Sequence, residues 1–119
     1  AAFRSPRAID LATGALRWEV ALGALNPDAA MLGSGSPNLG GPIVTAGGLV
    51  FIAATLDRRF HAYDIDTGKE LWSAPLPAGG KATPMTYRGA SGRQYVVVAA
   101  GGDGGRFGKS DRVVAFAVK

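Results

Sequence analysis

Short apolar segments alternate with glycine, proline and aspartate along the whole chain. The longest of them, 49–54 and 95–100, are about six residues long, and segments of this length bounded by turn residues predict β-strands. Residues 50–53 and 96–99 are apolar at every position, which favours strands covered on both faces. Residues 58–64 alternate between two faces. The predicted strands are 5–10, 16–22, 43–45, 49–55, 58–64, 70–74, 83–87, 94–100 and 112–118, and no helix of more than one turn is predicted.

An eleven-residue pattern occurs twice, at 8–18 and at 62–72, and a third partial copy begins at Ala115. A period of about 50 residues with one tryptophan per unit indicates radial β-repeats, in which each sheet packs on its neighbours. The sequence therefore predicts an all-β fold made of β-propeller blades. Residues 1–22 end one blade, 42–76 form a full blade, and 82–119 form most of a third, so that the whole chain is a partial β-propeller.

The recurring residues suit architectural roles. The aspartate can accept hydrogen bonds from backbone N–H groups in the turn that it opens, the threonine can cap that turn, and the glycine supplies a positive φ. Each tryptophan is expected to lie flat between adjacent blades and to bury about 200 Å². These structural residues are Asp10, Thr13, Gly14 and Trp18 in the first copy, and Asp64, Thr67, Gly68 and Trp72 in the second.

Composition narrows the function classes. The net charge of +4 comes from basic residues spread over the chain, without the basic stripe and interleaved aromatics of a nucleic-acid surface. The absence of cysteine excludes disulfides and thiolate metal sites. The lone histidine, His61, has no second histidine or cysteine to complete a metal site around it, so we assign no metal ligand and expect a structural or solvent-exposed side chain.

Candidate chemistry lies in the loops. Residues 34–41 are too polar and glycine-rich to pack, yet too long for a plain connector. Residues 54–57 and 100–108 each follow an apolar strand and place a carboxylate, Asp57 or Asp103, at its end. Equivalent positions in successive blades face the same mouth of a propeller, so the two carboxylates are expected to converge there. The alternative is that both only cap turns.

Together with the two repeats, four ordered segments resemble the pyrroloquinoline-quinone (PQQ)-dependent dehydrogenases, or quinoproteins. The segments are 37–42, 45–57, 82–87 and 94–102. They resemble the C-terminal part of the membrane-bound glucose and quinate dehydrogenase branch, and the resemblance extends from about residue 8 to the end of the chain.

The resemblance implies an eight-bladed propeller, of which this chain supplies about two and a quarter blades, with PQQ and a calcium ion on the axis. A sugar or polyol would be oxidised by hydride transfer to the quinone, and electrons would pass to ubiquinone. The full-length protein would be periplasmic and associated with the bacterial inner membrane. The main calcium ligands, the catalytic base and a lysine beside the quinone would belong to other blades, so we expect no catalytic residue here and an inactive chain on its own.

The resemblance also assigns residues. Asp57 matches a position that lines the active-site mouth, and Asn38 and Thr55 would lie near that mouth as substrate- or cofactor-proximal residues. Asp103 matches the loop that bounds the substrate cavity, where relatives commonly carry histidine or an uncharged residue. Lys81 likewise replaces an expected glutamine. Because of both departures, the sequence does not identify which sugar or polyol is the substrate.

Two other interpretations remain. A non-catalytic propeller scaffold could use the same tryptophan repeats for protein assembly or binding, but it would have no need of glycine-rich mouth loops carrying Asp57 and Asp103. The chain could also assemble with copies of itself into a closed ring, although about two and a quarter blades per chain makes closure awkward. Because an isolated partial propeller exposes strand edges and apolar blade faces, we expect it to be poorly soluble.

Overall fold

The computed structural model describes residues 5–24 and 35–117, and all regular structure in these two ranges is β-strand. No helix in them is long and apolar enough to cross a membrane. The all-β prediction is therefore confirmed for the described ranges. The strands are β1 (Arg7–Ile9), β2 (Leu16–Glu19), β3 (Ile43–Val44), β4 (Leu49–Ile52), β5 (Arg59–Asp64), β6 (Glu70–Pro75), β7 (Met85–Arg88), β8 (Gln94–Gly102) and β9 (Lys109–Ala117).

The described strands form three antiparallel sheets, in the orders β1-β2, β3-β4-β5-β6 and β7-β8-β9. Within each sheet, every strand pairs with the next in sequence, as tight turns between antiparallel strands allow. The predicted start of the last strand at residue 112 is wrong: the β8–β9 pairing continues outward until Gly102 pairs with Lys109. Gly102 permits this extension, because a Cβ there would come 2.1 Å from the Gly108 carbonyl oxygen.

Two apolar clusters lie on opposite faces of the four-stranded sheet. On one face, Phe51 and Phe60 pack with Val96 and Val98 of β8. On the other face, Val50, Ile52 and Tyr63 pack around Leu22, which follows β2. Alternation along β4 and β5 therefore sends successive side chains to two different neighbours. The middle sheet is covered on both sides, as the apolar pattern of residues 50–53 predicts.

In β8 only one of the two faces is covered within the described part of the chain. Val96 and Val98 are buried, whereas Val97 is half-buried and Ala99 is exposed. Residues 96–99 are apolar throughout, but the described part of the chain packs a sheet against only one of their two faces. The apolar composition of residues 96–99 permits burial on both faces of β8, and the neighbouring sheets determine whether each face is buried.

Both repeated turns are built in the same way. Asp10 Oδ1 accepts the N–H groups of Ala12 and Thr13 at 2.9 and 3.1 Å. Asp64 Oδ1 accepts those of Asp66 and Thr67, each at 2.9 Å. Backbone bonds, first of all from the threonine, lower the pKa of each aspartate below its usual value. The carboxylates therefore act as local turn caps.

Trp18 joins the first sheet to the second. Its Nε1–H donates to the Ile65 carbonyl oxygen at 2.8 Å, and a Cβ on Gly68 would lie 2.7 Å from its ring. Trp72 contacts the third sheet, where its ring meets that of Phe116 edge-on at 5.1 Å, and it is 39% exposed in the described part of the chain.

Gly14 and Gly68 make a matched pair for testing this contact. Both have φ near +72°, but a Cβ meets nothing within 4 Å at Gly14 and the Trp18 ring at Gly68. We expect Gly14→Ala to lower the free energy of unfolding by about 1 kcal/mol for the positive φ alone. Gly68→Ala should lower it by about 2–3 kcal/mol, because the bonded ring must also move. Urea unfolding of both variants measures the difference, and equal losses would show that Trp18 yields without cost.

Candidate functional site

The loop between β4 and β5 holds the first candidate residues. It turns through two backbone bonds, from Thr55 N–H to the Ala53 carbonyl at 2.9 Å and from Arg58 N–H to the Thr55 carbonyl at 3.3 Å. Arg58 takes φ +53°, a left-handed conformation that costs a non-glycine residue about 1–2 kcal/mol. The buried Ser36 hydroxyl accepts the Leu56 N–H at 2.8 Å and so ties the loop to residues 35–42. The result is a fixed turn that carries Asp57.

Asp57 is only 7% exposed and accepts hydrogen bonds at both oxygens. Its Oδ1 accepts the Thr55 hydroxyl and the Arg59 N–H, the latter at 3.1 Å. Its Oδ2 accepts the Ala24 N–H at 3.2 Å and lies 3.0 Å from His61 Nε2. Each oxygen thus has two donors, which is what a buried carboxylate needs to remain ionised.

His61 lies between two carboxylates. Besides the contact with Asp57, its Nδ1 lies 2.5 Å from Glu70 Oε1, and the Thr55 hydroxyl lies 3.4 Å from Nε2. The histidine is 4% exposed, whereas the Glu70 side chain is 46% exposed. The solvent-exposed alternative for His61 is therefore wrong.

The pKa values of this pair move apart. Burial pushes the pKa of Asp57 upward, but the hydrogen bond and charge of His61, with the Thr55 bond, outweigh it and hold that pKa below its usual 3.8. Burial pushes the pKa of His61 downward, but the bonds and charges of Asp57 and Glu70 outweigh it and hold that pKa above its usual 6.5. Both shifts therefore favour the ionised forms of the pair, a carboxylate and an imidazolium.

Tyr63 and Gly23 close the site from two sides. The Tyr63 ring stacks on His61 with centroids 6.0 Å apart and planes at 27°. Burial, followed by the charges of Glu70 and Asp57, raises the pKa of its hydroxyl, which also takes part in a backbone hydrogen bond with Gly23. Gly23 has φ +63°, and a Cβ there would come 2.8 Å from the Thr55 side chain. The chain after β2 therefore packs directly on the Thr55–Asp57 pair.

These side chains line an open groove of about 440 Å³. Its charged and polar walls include Asp57, Arg59, His61, Tyr63, Lys69 and Glu70. Among the described residues no three histidine or acidic side chains are arranged to hold a metal ion. The arrangement can hold negative charge in a fixed place and orient the loop that carries it.

The other two predicted residues lie elsewhere. Asn38 Oδ1 accepts the Gly40 N–H at 2.9 Å, and Asn38 lines a different groove together with Leu22 and Ile52. Asp103 is exposed and accepts the Gly105 N–H at 2.8 Å within its own turn. The hydrogen bonds of the described residues give Asp103 and Asp57 no common partner.

The two loops still meet through the backbone. The Arg58 guanidinium donates to the Arg106 carbonyl at 3.4 Å and packs against Gly108. Gly79 then links to the second loop, donating to the Phe107 carbonyl at 2.7 Å and accepting from Gly102 at 2.9 Å. The two glycine-rich segments are therefore held as neighbours, while their carboxylates serve different turns.

Sequence reasoning identified Asp57 and Thr55 but missed the partners His61, Glu70 and Gly23. Alternation along residues 58–64 does place His61 and Tyr63 on one face, and that was the available signal. Nothing in the pattern brings Glu70 to His61. That contact depends on a register shift between Ala62 and Tyr63, which sets Glu70 opposite Tyr63.

The pair should make stability depend on pH in two directions. The contribution of Asp57 to the free energy of unfolding is present above pH 3.8, its usual pKa, and is lost as pH falls through its lowered pKa. The contribution of His61 to the free energy of unfolding is present below pH 6.5, its usual pKa, and is lost as pH rises through its raised pKa. We therefore expect the highest urea midpoint between these two pKa values. His61→Gln should remove the alkaline fall, and a wild-type midpoint that does not fall on the alkaline side would contradict the pairing.

Comparison with known proteins finds one family, matched both by a family model and by individual relatives. The family model of the PQQ glucose/ethanol/alcohol dehydrogenase β-propeller domain matches residues 2–96. Quinoprotein glucose dehydrogenase of Escherichia coli K12 is 45% identical over 122 residues, covering 93% of this chain and 15% of that protein. Quinate/shikimate dehydrogenase (quinone) of Acinetobacter baylyi is 42% identical over 125 residues, covering 98% of this chain and 16% of that protein.

Solved structures show the same similarity. A europium-containing methanol dehydrogenase superposes with a TM-score of 0.61 at 37% identity, over 79% of this chain and 14% of that chain. Quinohemoprotein alcohol dehydrogenase from Comamonas testosteroni superposes with a TM-score of 0.56 at 40% identity, over 72% of this chain and 11% of that chain. The chain therefore spans a small part of the length of the proteins that it matches.

Proposed function

This chain belongs to the β-propeller family of the PQQ-dependent glucose/ethanol/alcohol dehydrogenases, and on that premise we propose that it forms part of an enzyme that oxidises a hydroxyl group of a sugar or polyol. The relatives named for glucose and for quinate or shikimate support this substrate class. Their names are those of dehydrogenases, which favours an enzyme over a non-catalytic scaffold.

The observation that carries the proposal is the saturated Asp57 carboxylate on the β4–β5 loop. Four hydrogen bonds hold it ionised and fix the loop. A carboxylate with this many donors has no free lone pair, so its effect on a reaction comes through its charge and through the position of its loop. We propose Asp57, with Thr55, as the contribution of this segment to the wall of the substrate mouth. Asn38 and Asp103 are proposed as further mouth residues on neighbouring loops.

The cofactors of this proposal are PQQ and calcium. PQQ would accept the hydride removed from the alcohol carbon, and the protein would supply orientation and electrostatics. No three histidine or acidic side chains among the described residues are arranged to hold a metal ion, and Asp57, His61 and Glu70 pair with one another instead. We therefore propose that the calcium ligands lie outside the described residues and derive no step through that ion.

The remaining partners are proposed on the same basis. The other blades of the propeller would pack on the exposed faces of the first and third sheets. Electrons would pass to ubiquinone, and the catalytic domain would face the periplasm at the inner membrane. Reduction of ubiquinone by washed membranes, on addition of glucose or quinate, tests the acceptor. An enzyme that reduces only soluble acceptors would contradict it.

The activity is tested in the enzyme that carries this segment, loaded with PQQ and calcium. Glucose, quinate and glycerol are offered with a dye acceptor, and we expect at least one of them to be oxidised. Asp57→Ala should lower kcat/KM by about 10–100-fold, because displacing a fixed loop by about 1 Å costs that much. Asp66→Ala is the matched control, since Asp66 is exposed in a turn and only its N–H is hydrogen-bonded. Failure to bind PQQ, or full activity of Asp57→Ala, would overturn the proposal.

A further inference from the structure

His61 is placed in a way that packing alone does not require. A buried neutral histidine needs one acceptor and one donor, because only one of its ring nitrogens carries a proton. Here both ring nitrogens face carboxylates, Nε2 toward Asp57 at 3.0 Å and Nδ1 toward Glu70 at 2.5 Å. Two acceptors call for two N–H donors, so the geometry fits the imidazolium form.

A buried charge is costly unless partners surround it. Within the described residues, the groups facing His61 come from three elements. They are Arg59 and Tyr63 on β5, Glu70 and the preceding Lys69 at the start of β6, and Asp57 on the loop before β5. Residues 20–24, which pack on the same site after β2, contain no titratable side chain. The two carboxylates are therefore the groups that stabilise the charge.

The two carboxylates on either side of His61 are not held equally firmly. Asp57 is fixed at four points, whereas Glu70 reaches in from a side chain that is 46% exposed. A change at Glu70 can therefore alter His61 without touching the loop that carries Asp57. That separation allows the histidine's role to be tested apart from Asp57.

We propose that His61 is a positioning residue for the dehydrogenase: as an imidazolium held by Glu70, it fixes the Asp57 carboxylate and the β4–β5 loop at the substrate mouth. The inference rests on the proposed function, in that the loop must border the substrate. Loss of the proton as pH rises removes one of the two N–H donors and breaks one of the two bonds. The alkaline limit of the reaction then follows His61, although His61 touches neither substrate nor cofactor.

The first test is an NMR titration of His61 in the PQQ-loaded enzyme that carries this segment. The ring resonances of His61 are those that disappear in His61→Gln, and the amide spectrum reports whether each variant is folded. We expect the wild-type ring to titrate above its usual 6.5 and the Glu70→Gln ring to titrate at lower pH. Glu19→Gln is the control, because Glu19 pairs with Arg7 on the first sheet. If the His61 ring titrates at the same pH in wild type and in Glu70→Gln, the proposal is overturned.

The second test measures kcat/KM against pH in the PQQ-loaded enzyme. Glu70→Gln should move the alkaline fall of kcat/KM to lower pH, whereas the control Glu19→Gln should leave the whole profile unchanged within about twofold. His61→Gln should lower kcat/KM by about tenfold near pH 6, the cost of one hydrogen bond to a charged group, and should flatten the alkaline limb. A merely structural histidine would change stability and leave the shape of the profile intact, which would overturn the proposal.

The two proposals fail differently. If Asp57→Ala keeps full activity, the role of the loop in the reaction is wrong. If Asp57→Ala loses activity while Glu70→Gln leaves the pH profile unmoved, only the role of His61 is wrong.

Discussion

Replacing Phe60 with alanine is expected to lower the free energy of unfolding by about 3–5 kcal/mol. Phe60 has no exposed surface and lies at the centre of the larger apolar cluster. Its ring centroid is 5.6 Å from that of Phe51, 5.6 Å from that of Phe116 and 6.1 Å from that of Trp72. Alanine would leave a cavity between two sheets, and neither sheet can close it without giving up its own pairing.

Urea unfolding gives the measurement, and Met85→Ala is the control. Met85 is 57% exposed on β7, so its loss should cost less than about 1 kcal/mol. Folded domains are stable by about 5–15 kcal/mol, so the Phe60 change would remove a large share of the total. A loss below about 1 kcal/mol for Phe60→Ala would mean that the two sheets do not depend on this cluster.

Local pattern predicts this fold well because its strands pair with their neighbours in sequence. Apolar runs and turn residues suffice to place the strands to within a few residues, and the Asp-x-x-Thr-Gly turns depend on contacts over two or three residues. Burial depends on a second sheet, which local pattern does not show. Val97 and Trp72 carry the right residue types for burial, and in the described part of the chain Val97 is half-buried and Trp72 is 39% exposed.

The candidate site is predictable only in part, for the same reason. Asp57 follows an apolar strand and could be found from its position, but its donors come from residues as distant in sequence as Ala24. The contact between His61 and Glu70 depends on a bulge in the β5–β6 pairing, and the alternating pattern contains no trace of a one-residue bulge. Long-range register is therefore what sequence reasoning lacked here.

Gly23→Ala is expected to lower the free energy of unfolding by about 3–5 kcal/mol, the second large effect. The residue has φ +63°, and a new Cβ would lie 2.8 Å from two Thr55 side-chain carbons and 2.9 Å from Asp57 Oδ2. The positive φ costs about 1–2 kcal/mol. Displacing a carboxylate from its hydrogen bonds costs about 1.5–3 kcal/mol more.

Gly92→Ala separates these two contributions. Gly92 has φ +81° and nothing within 4 Å of a Cβ, so its substitution should cost only the conformational part. If Gly23→Ala acts by moving Asp57, the NMR titration of His61 should also shift to lower pH in that variant and stay unchanged in Gly92→Ala. Equal losses of stability in both variants, with an unmoved histidine titration, would show that the chain after β2 does not hold the Asp57 loop. The expected result instead shows that the chain after β2 holds the Asp57 loop by its close approach at Gly23, because any side chain there would occupy the space that the Thr55–Asp57 pair already fills.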